Sequence, residues 1–121
     1  MILIVDDDPT IVNILKDALH GEGYEVVTAA NGAEAYDHVK SGACRCMLLD
    51  VNMPRINGVE LLLLLQAEGL RVPTVLMADF EDFDDDEMRG FDSVVQYMRK
   101  PFTVKDALAS VRKHALPVAA T

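Results

Sequence analysis

The chain is short of basic residues, of cysteine and of long apolar runs, and each shortage removes a class of function. Eleven Lys and Arg stand against 20 Asp and Glu, a net charge of −9. A surface of that sign repels phosphate backbones and anionic headgroups, so no direct binding to nucleic acid or to a membrane surface is expected. The two cysteines, Cys44 and Cys46, lie two residues apart at the start of a strand-like run, where they cannot easily bridge each other. They read as reduced, small apolar residues. His20, His38 and His114 are scattered through helix-like segments without metal-ligand spacing. No basic start leads into an apolar stretch as in a signal peptide, and the run Leu61 to Leu65 falls far short of the roughly 20 residues of a membrane span. A cytoplasmic protein is expected.

What is present suits one domain. The 121 residues are 50% hydrophobic and 26% charged, enough to bury a core without disulfides or a structural metal. Short apolar runs alternate with helical patterns. Ile2 to Val5 reads as a strand, and Pro9 opens a helix capped by Asp8, with Ile11, Ile14, Leu15, Ala18 and Leu19 as its apolar side and Gly21 and Gly23 at its end. Further strands are predicted at Glu25 to Ala29, Cys46 to Leu49, Thr74 to Ala78 and Val94 to Met98. Helices are predicted from about Ala33 to Ser41, after the Pro54 to Gly58 loop to about Glu68, from the acidic segment Asp79 to Glu87 to near Asp92, and around Val104, Leu108 and Val111. Five buried strands separated by five helices predict an α/β fold, a doubly wound five-stranded parallel sheet. The domain should run over residues 1–116, with 117–121 a tail or the start of a linker. Leu61 to Leu65 covers every side of its helix, so at least one leucine should face away from the sheet.

In an open parallel sheet the functional crevice lies outside the carboxyl ends of the strands. Asp6 and Asp7 follow strand 1, Asp50 follows strand 3, and Lys100 with Pro101 follows strand 5. Carboxylates gathered at one sheet edge repel each other and call for a cation. Magnesium, which takes one or two carboxylates plus water and phosphate oxygens, suits this supply better than calcium. Lys100 adds a compact positive charge for an anion bound there. A carboxylate nucleophile, a magnesium ion and a lysine make a minimal phosphoryl-transfer centre that needs no general base.

Three stretches, Ile2-Leu-Ile-Val-Asp-Asp-Asp-Pro9, Met47-Leu-Leu-Asp-Val-Asn-Met-Pro54 with Asn57-Gly58, and Lys100-Pro-Phe102, resemble those of response-regulator receiver domains, in the same order and along essentially the whole chain. The resemblance implies a flavodoxin-like receiver fold and a signalling domain rather than an enzyme, acting beyond itself only by switching partner binding. It implies that Asp50 takes a phosphoryl group from a histidine kinase or phosphotransfer protein. Magnesium would be bound by Asp7, by Asp6 mainly through water, by Asp50 and by the backbone carbonyl of Asn52. Lys100 would pair with the phosphate across a cis Lys-Pro bond, and Tyr97 would be the switch aromatic. A monomer or weak dimer is expected. One position departs from the family pattern: Ala78 stands where a Thr or Ser is usual, followed by Asp79 in place of a small residue.

Two rival readings come from other classes. Asp6-x-Asp8-x-Thr10 resembles the nucleophile loop of haloacid-dehalogenase-like phosphohydrolases, with Asp6 as nucleophile and Asp8 as acid/base, but it leaves Asp50-Val-Asn-Met-Pro54 unexplained. Ala78 also keeps open an interaction module that works without phosphorylation.

Overall fold

Apolar runs bounded by helical segments leave one economical arrangement, strands side by side with helices on both faces, and the computed structural model of the chain has it. The structure describes residues 1–51, 58–78 and 91–117. Five strands, β1 (Ile2–Val5), β2 (Val26–Ala29), β3 (Cys46–Asp50), β4 (Thr74–Ala78) and β5 (Val94–Arg99), pair in parallel in the order β2-β1-β3-β4-β5. Four helices belong to the described residues: α1 (Pro9–Gly21), α2 (Gly32–Lys40), α3 (Gly58–Ala67) and α4 (Val104–His114). The helix expected after Asp79 falls on residues 79–90, outside the described ones. Phe91 to Ser93 are a turn into β5.

The central strands β1, β3 and β4 are buried at every position, because each is covered on both faces. Alternation divides their side chains between two cores. Ile2, Ile4, Cys46, Leu48, Val75 and Met77 pack with Leu15 and Leu19 of α1 and Ala107 and Val111 of α4. Leu3, Val5, Met47, Leu49, Leu76 and Ala78 pack with Ala35 and Val39 of α2 and Leu61, Leu62 and Leu65 of α3. This is the doubly wound sheet expected.

The local signals behave as their chemistry requires. Asp8 caps α1 by accepting from the Thr10 amide at 2.9 Å, ahead of Pro9 in the first turn. Gly23, at φ 90°, lets the chain reverse after α1 into β2. Ile14 departs from the expected core set. It is 49% exposed, whereas Leu15 and Leu19 one step round the helix are buried. On α3, Leu63 and Leu64 are exposed at 55% and 40%, so the all-round leucine run does leave two side chains outside.

Gly58 begins α3 rather than closing the preceding loop. A Cβ there would lie 3.1 Å from the Val51 Cα and 3.3 Å from the Asp50 carbonyl oxygen, both backbone atoms that cannot swing aside. Gly58→Ala is therefore expected to lower stability by about 1–3 kcal/mol, the range for overpacking, despite alanine's better helix propensity. Urea unfolding of the two proteins measures it, and an unchanged midpoint would show that the contact gives way freely.

Both cysteines are free thiols. Burial, the dominant influence, pushes Cys44 up to about 11 and Cys46 up to about 12. Native protein should resist alkylation by iodoacetamide at neutral pH and react promptly once unfolded, because only the thiolate attacks. Their titration has a definite sign. As pH rises above about 9, the unfolded chain releases thiol protons that the folded chain keeps, so stability falls with rising pH over that range.

Candidate functional site

The sheet order reverses at β1, since the chain passes from β1 to β2 on one side and then to β3 on the other. Such a switch point opens a crevice at the carboxyl ends of the two adjacent strands. Asp6 and Asp7 follow β1 directly and Asp50 is the last residue of β3, so register alone brings the three carboxylates to one place. One carboxylate oxygen from each lies within 4.8 Å of the others. Asp6 and Asp50 are buried, at 2% and 4% exposure, and Asp7 is exposed at the mouth.

Lys100, immediately after β5, reaches back over the sheet end. Its Nζ lies 3.5 Å from Asp50 Oδ1 and 3.6 Å from Asp6 Oδ2, with the lysine side chain only 20% exposed. Its backbone is held too, since the Lys100 amide donates to the Ala78 carbonyl at 2.8 Å, and the Lys100–Pro101 peptide is cis. Asp6 Oδ1 accepts from the Asp8 amide at 2.9 Å. Its other oxygen, Oδ2, is buried and accepts no hydrogen bond among the described residues, with the lysine Nζ 3.6 Å away. An all-oxygen donor set with one buried oxygen short of a partner fits a hard divalent cation.

Ala78 ends β4, 2% exposed, on the sheet face that carries α2 and α3. Tyr97, partner of Leu76 in the register, is half-buried against the same cluster. The position that lacks a hydroxyl and the aromatic therefore share one face of adjacent strands. Asn52 and Asp79 lie outside the described residues. Asp8, the acid/base of the rival hydrolase reading, is spent as the α1 cap.

Two neighbours escaped the sequence reading. Asn13, one turn into α1, lines a depression of about 190 Å³ with Asp6, Asp7 and Thr28. Helical spacing from Pro9 could have placed it there. Gly58 was visible only as part of a motif, while its packing on the Asp50 carbonyl needs the fold.

Comparison with known proteins agrees with this geometry. The model of the response regulator receiver domain matches residues 2–112. The chain belongs to that family. Among relatives, the alkaline phosphatase synthesis transcriptional regulatory protein PhoP of Bacillus subtilis is 34% identical over 112 residues, covering 92% of this chain and 46% of PhoP. Response regulator MprA of Mycobacterium avium is 35% identical, with 92% and 49% covered. The receiver chain thus spans about half the length of these relatives. Among solved structures, response regulator TrrA of Thermotoga maritima, in complex with Mg²⁺-BeF, superposes with a TM-score of 0.79 at 33% identity, covering 93% of this chain and 96% of that one. The receiver is a signalling domain of two-component systems rather than a classical enzyme, and receivers bind magnesium at an aspartate cluster of the kind Asp6, Asp7 and Asp50 form here. Among the described residues no helix is long and apolar enough to cross a membrane.

Proposed function

We propose that Asp50 is the phosphoacceptor of this receiver, that Asp6, Asp7 and Asp50 hold a magnesium ion together with the Asn52 carbonyl, and that Lys100 pairs with the phosphoryl group. The observation that carries this reading is the approach of Lys100 Nζ to both Asp50 and Asp6, 3.5 and 3.6 Å, inside a triad of carboxylate oxygens within 4.8 Å. In the transfer, an Asp50 carboxylate oxygen attacks phosphorus and forms the new P–O bond. The bond from phosphorus to the donor's nitrogen or oxygen breaks, and its electron pair leaves with the donor. Lys100, already beside the nucleophile, trades part of its contact with Asp50 for an equatorial phosphoryl oxygen. Magnesium, when bound, supplies Lewis-acid neutralisation of the phosphoryl oxygens. The near-complete burial of Asp6 fixes its carboxylate toward the site, while exposed Asp7 leaves the mouth open to the donor.

The donor is a histidine kinase or phosphotransfer protein, in keeping with the family. The relatives named as transcriptional regulators are about twice as long as this chain. The expectation of no nucleic-acid contact, drawn from a net charge of −9, accordingly concerns this domain's own surface, and in a longer protein a DNA-binding output would sit in another segment. A domain over residues 1–116, with 117–121 a tail or the start of a linker, belongs to the same proposal.

Magnesium titration followed by mass spectrometry tests the reading. Millimolar magnesium should raise the melting temperature of the wild type and less so that of Asp7→Asn, because a ligand that binds only the folded state stabilises it. Acetyl phosphate with magnesium should then add a single phosphoryl group. Multiple turnover of a generic phosphate ester without stable labelling would favour the hydrolase instead.

A further inference from the structure

At the opposite end of β3 from Asp50, the chain emerging from α4 is held by Arg45, through its backbone and its side chain. α4 ends at His114, and Ala115 turns extended, at φ −61° and ψ 134°. Leu116 is then 45% exposed, so burial holds it only in part. Two hydrogen bonds hold its backbone. The Leu116 amide donates to the Arg45 carbonyl at 2.9 Å, and Arg45 Nε donates to the Leu116 carbonyl at 2.6 Å. Arg45 is itself anchored, its amide donating to the Met1 carbonyl at 2.8 Å and its guanidinium lying 5.7 Å from the centre of the Tyr24 ring.

We propose that Arg45 is a positioning residue that fixes the course of the chain past α4 at the edge of the sheet opposite the carboxylate cluster. Arginine suits the task because its planar guanidinium can face an aromatic ring while its Nε–H points in the ring plane at a carbonyl. A lysine offers no such fixed pair of directions. Pro117, which follows, has no amide hydrogen to donate. Removing the Arg45 side chain leaves one backbone hydrogen bond between the two residues, and a single bond opens locally more readily than two. The device ties the start of whatever follows α4 to the strand that bears Asp50, five residues or roughly 16 Å along it.

Amide hydrogen exchange by NMR on the wild type, Arg45→Ala and Arg45→Lys decides the matter. Leu116 should be protected in the wild type and should exchange at least tenfold faster in both variants. The amides of Ile4 and Leu48 in the central strands should keep their rates, and the Tyr24 ring resonances should shift. Labelling at Asp50 should be unaffected, which keeps this test separate from that of the phosphoacceptor. A Leu116 amide that is unprotected in the wild type, equally protected in Arg45→Ala, or accelerated no more than Ile4 and Leu48 would overturn the proposal.

Discussion

The Asp50→Asn protein is expected to take up no phosphoryl group from acetyl phosphate while melting at or above the wild-type temperature. An amide is isosteric with the carboxylate but lacks its charge and its nucleophilic oxygen, so the chemical step has no starting point. The fold should not suffer. Lys100 pairs with Asp6 and Asp50, and Asp7 lies within 4.8 Å of both carboxylates, so replacing one of three converging carboxylates relieves repulsion rather than breaking an isolated pair. Lys100→Ala should act oppositely. It leaves the nucleophile in place, so labelling continues more slowly, but it strips the compensating charge from buried Asp6 and Asp50. Breaking a fully buried pair costs roughly 3–5 kcal/mol, and the partly open lysine here implies less. Magnesium should restore more stability to Lys100→Ala than to the wild type. Intact-mass and melting measurements on the three proteins give both answers. Labelling that survives in Asp50→Asn with the phosphate on Asp6 would transfer the assignment to the hydrolase reading.

Ala78→Thr should enlarge the conformational response to phosphorylation. On the reading that the family resemblance implies, a hydroxyl at this position would bind a phosphoryl oxygen and, in moving there, make room for the switch aromatic. Ala78 stands at the end of β4, its carbonyl bonded to the Lys100 amide and its Cβ on the same face as Tyr97, but a methyl group offers nothing to the phosphate. A hydrogen bond to a charged group is worth roughly 1.5–3 kcal/mol, about ten- to a hundredfold in a two-state equilibrium. Without it, phosphorylation of this receiver should shift its population incompletely, since a ligand moves an equilibrium only by its differential affinity. The added methyl and hydroxyl enter a site that is 2% exposed, so some packing cost is expected alongside the better strand propensity of threonine. NMR of both proteins with and without beryllofluoride makes the comparison. Equal, full-sized responses would show that the hydroxyl is dispensable, and partner binding indifferent to both Asp50→Asn and phosphorylation would favour the interaction module.

The sequence by itself determined the order and type of the described elements, because in a parallel sheet covered on both faces each central strand must be a continuous apolar run, and Ile2 to Val5, Cys46 to Leu49 and Thr74 to Ala78 are such runs. It also determined the candidate site, since polar residues that end such runs, Asp6, Asp7, Asp50 and Lys100, have only the sheet edge to occupy. Tertiary structure alone decided distances and sides. That Lys100 touches both Asp6 and Asp50 follows from β5 lying two strands away from β3, which no local pattern encodes. Ile14 sits outside the core because neighbouring elements determine how much of an apolar helix side is covered. Periodicity records only that a side is apolar. The hold of Arg45 on Leu116 was equally illegible, because it joins residues 71 positions apart through a backbone carbonyl, and every residue carries one.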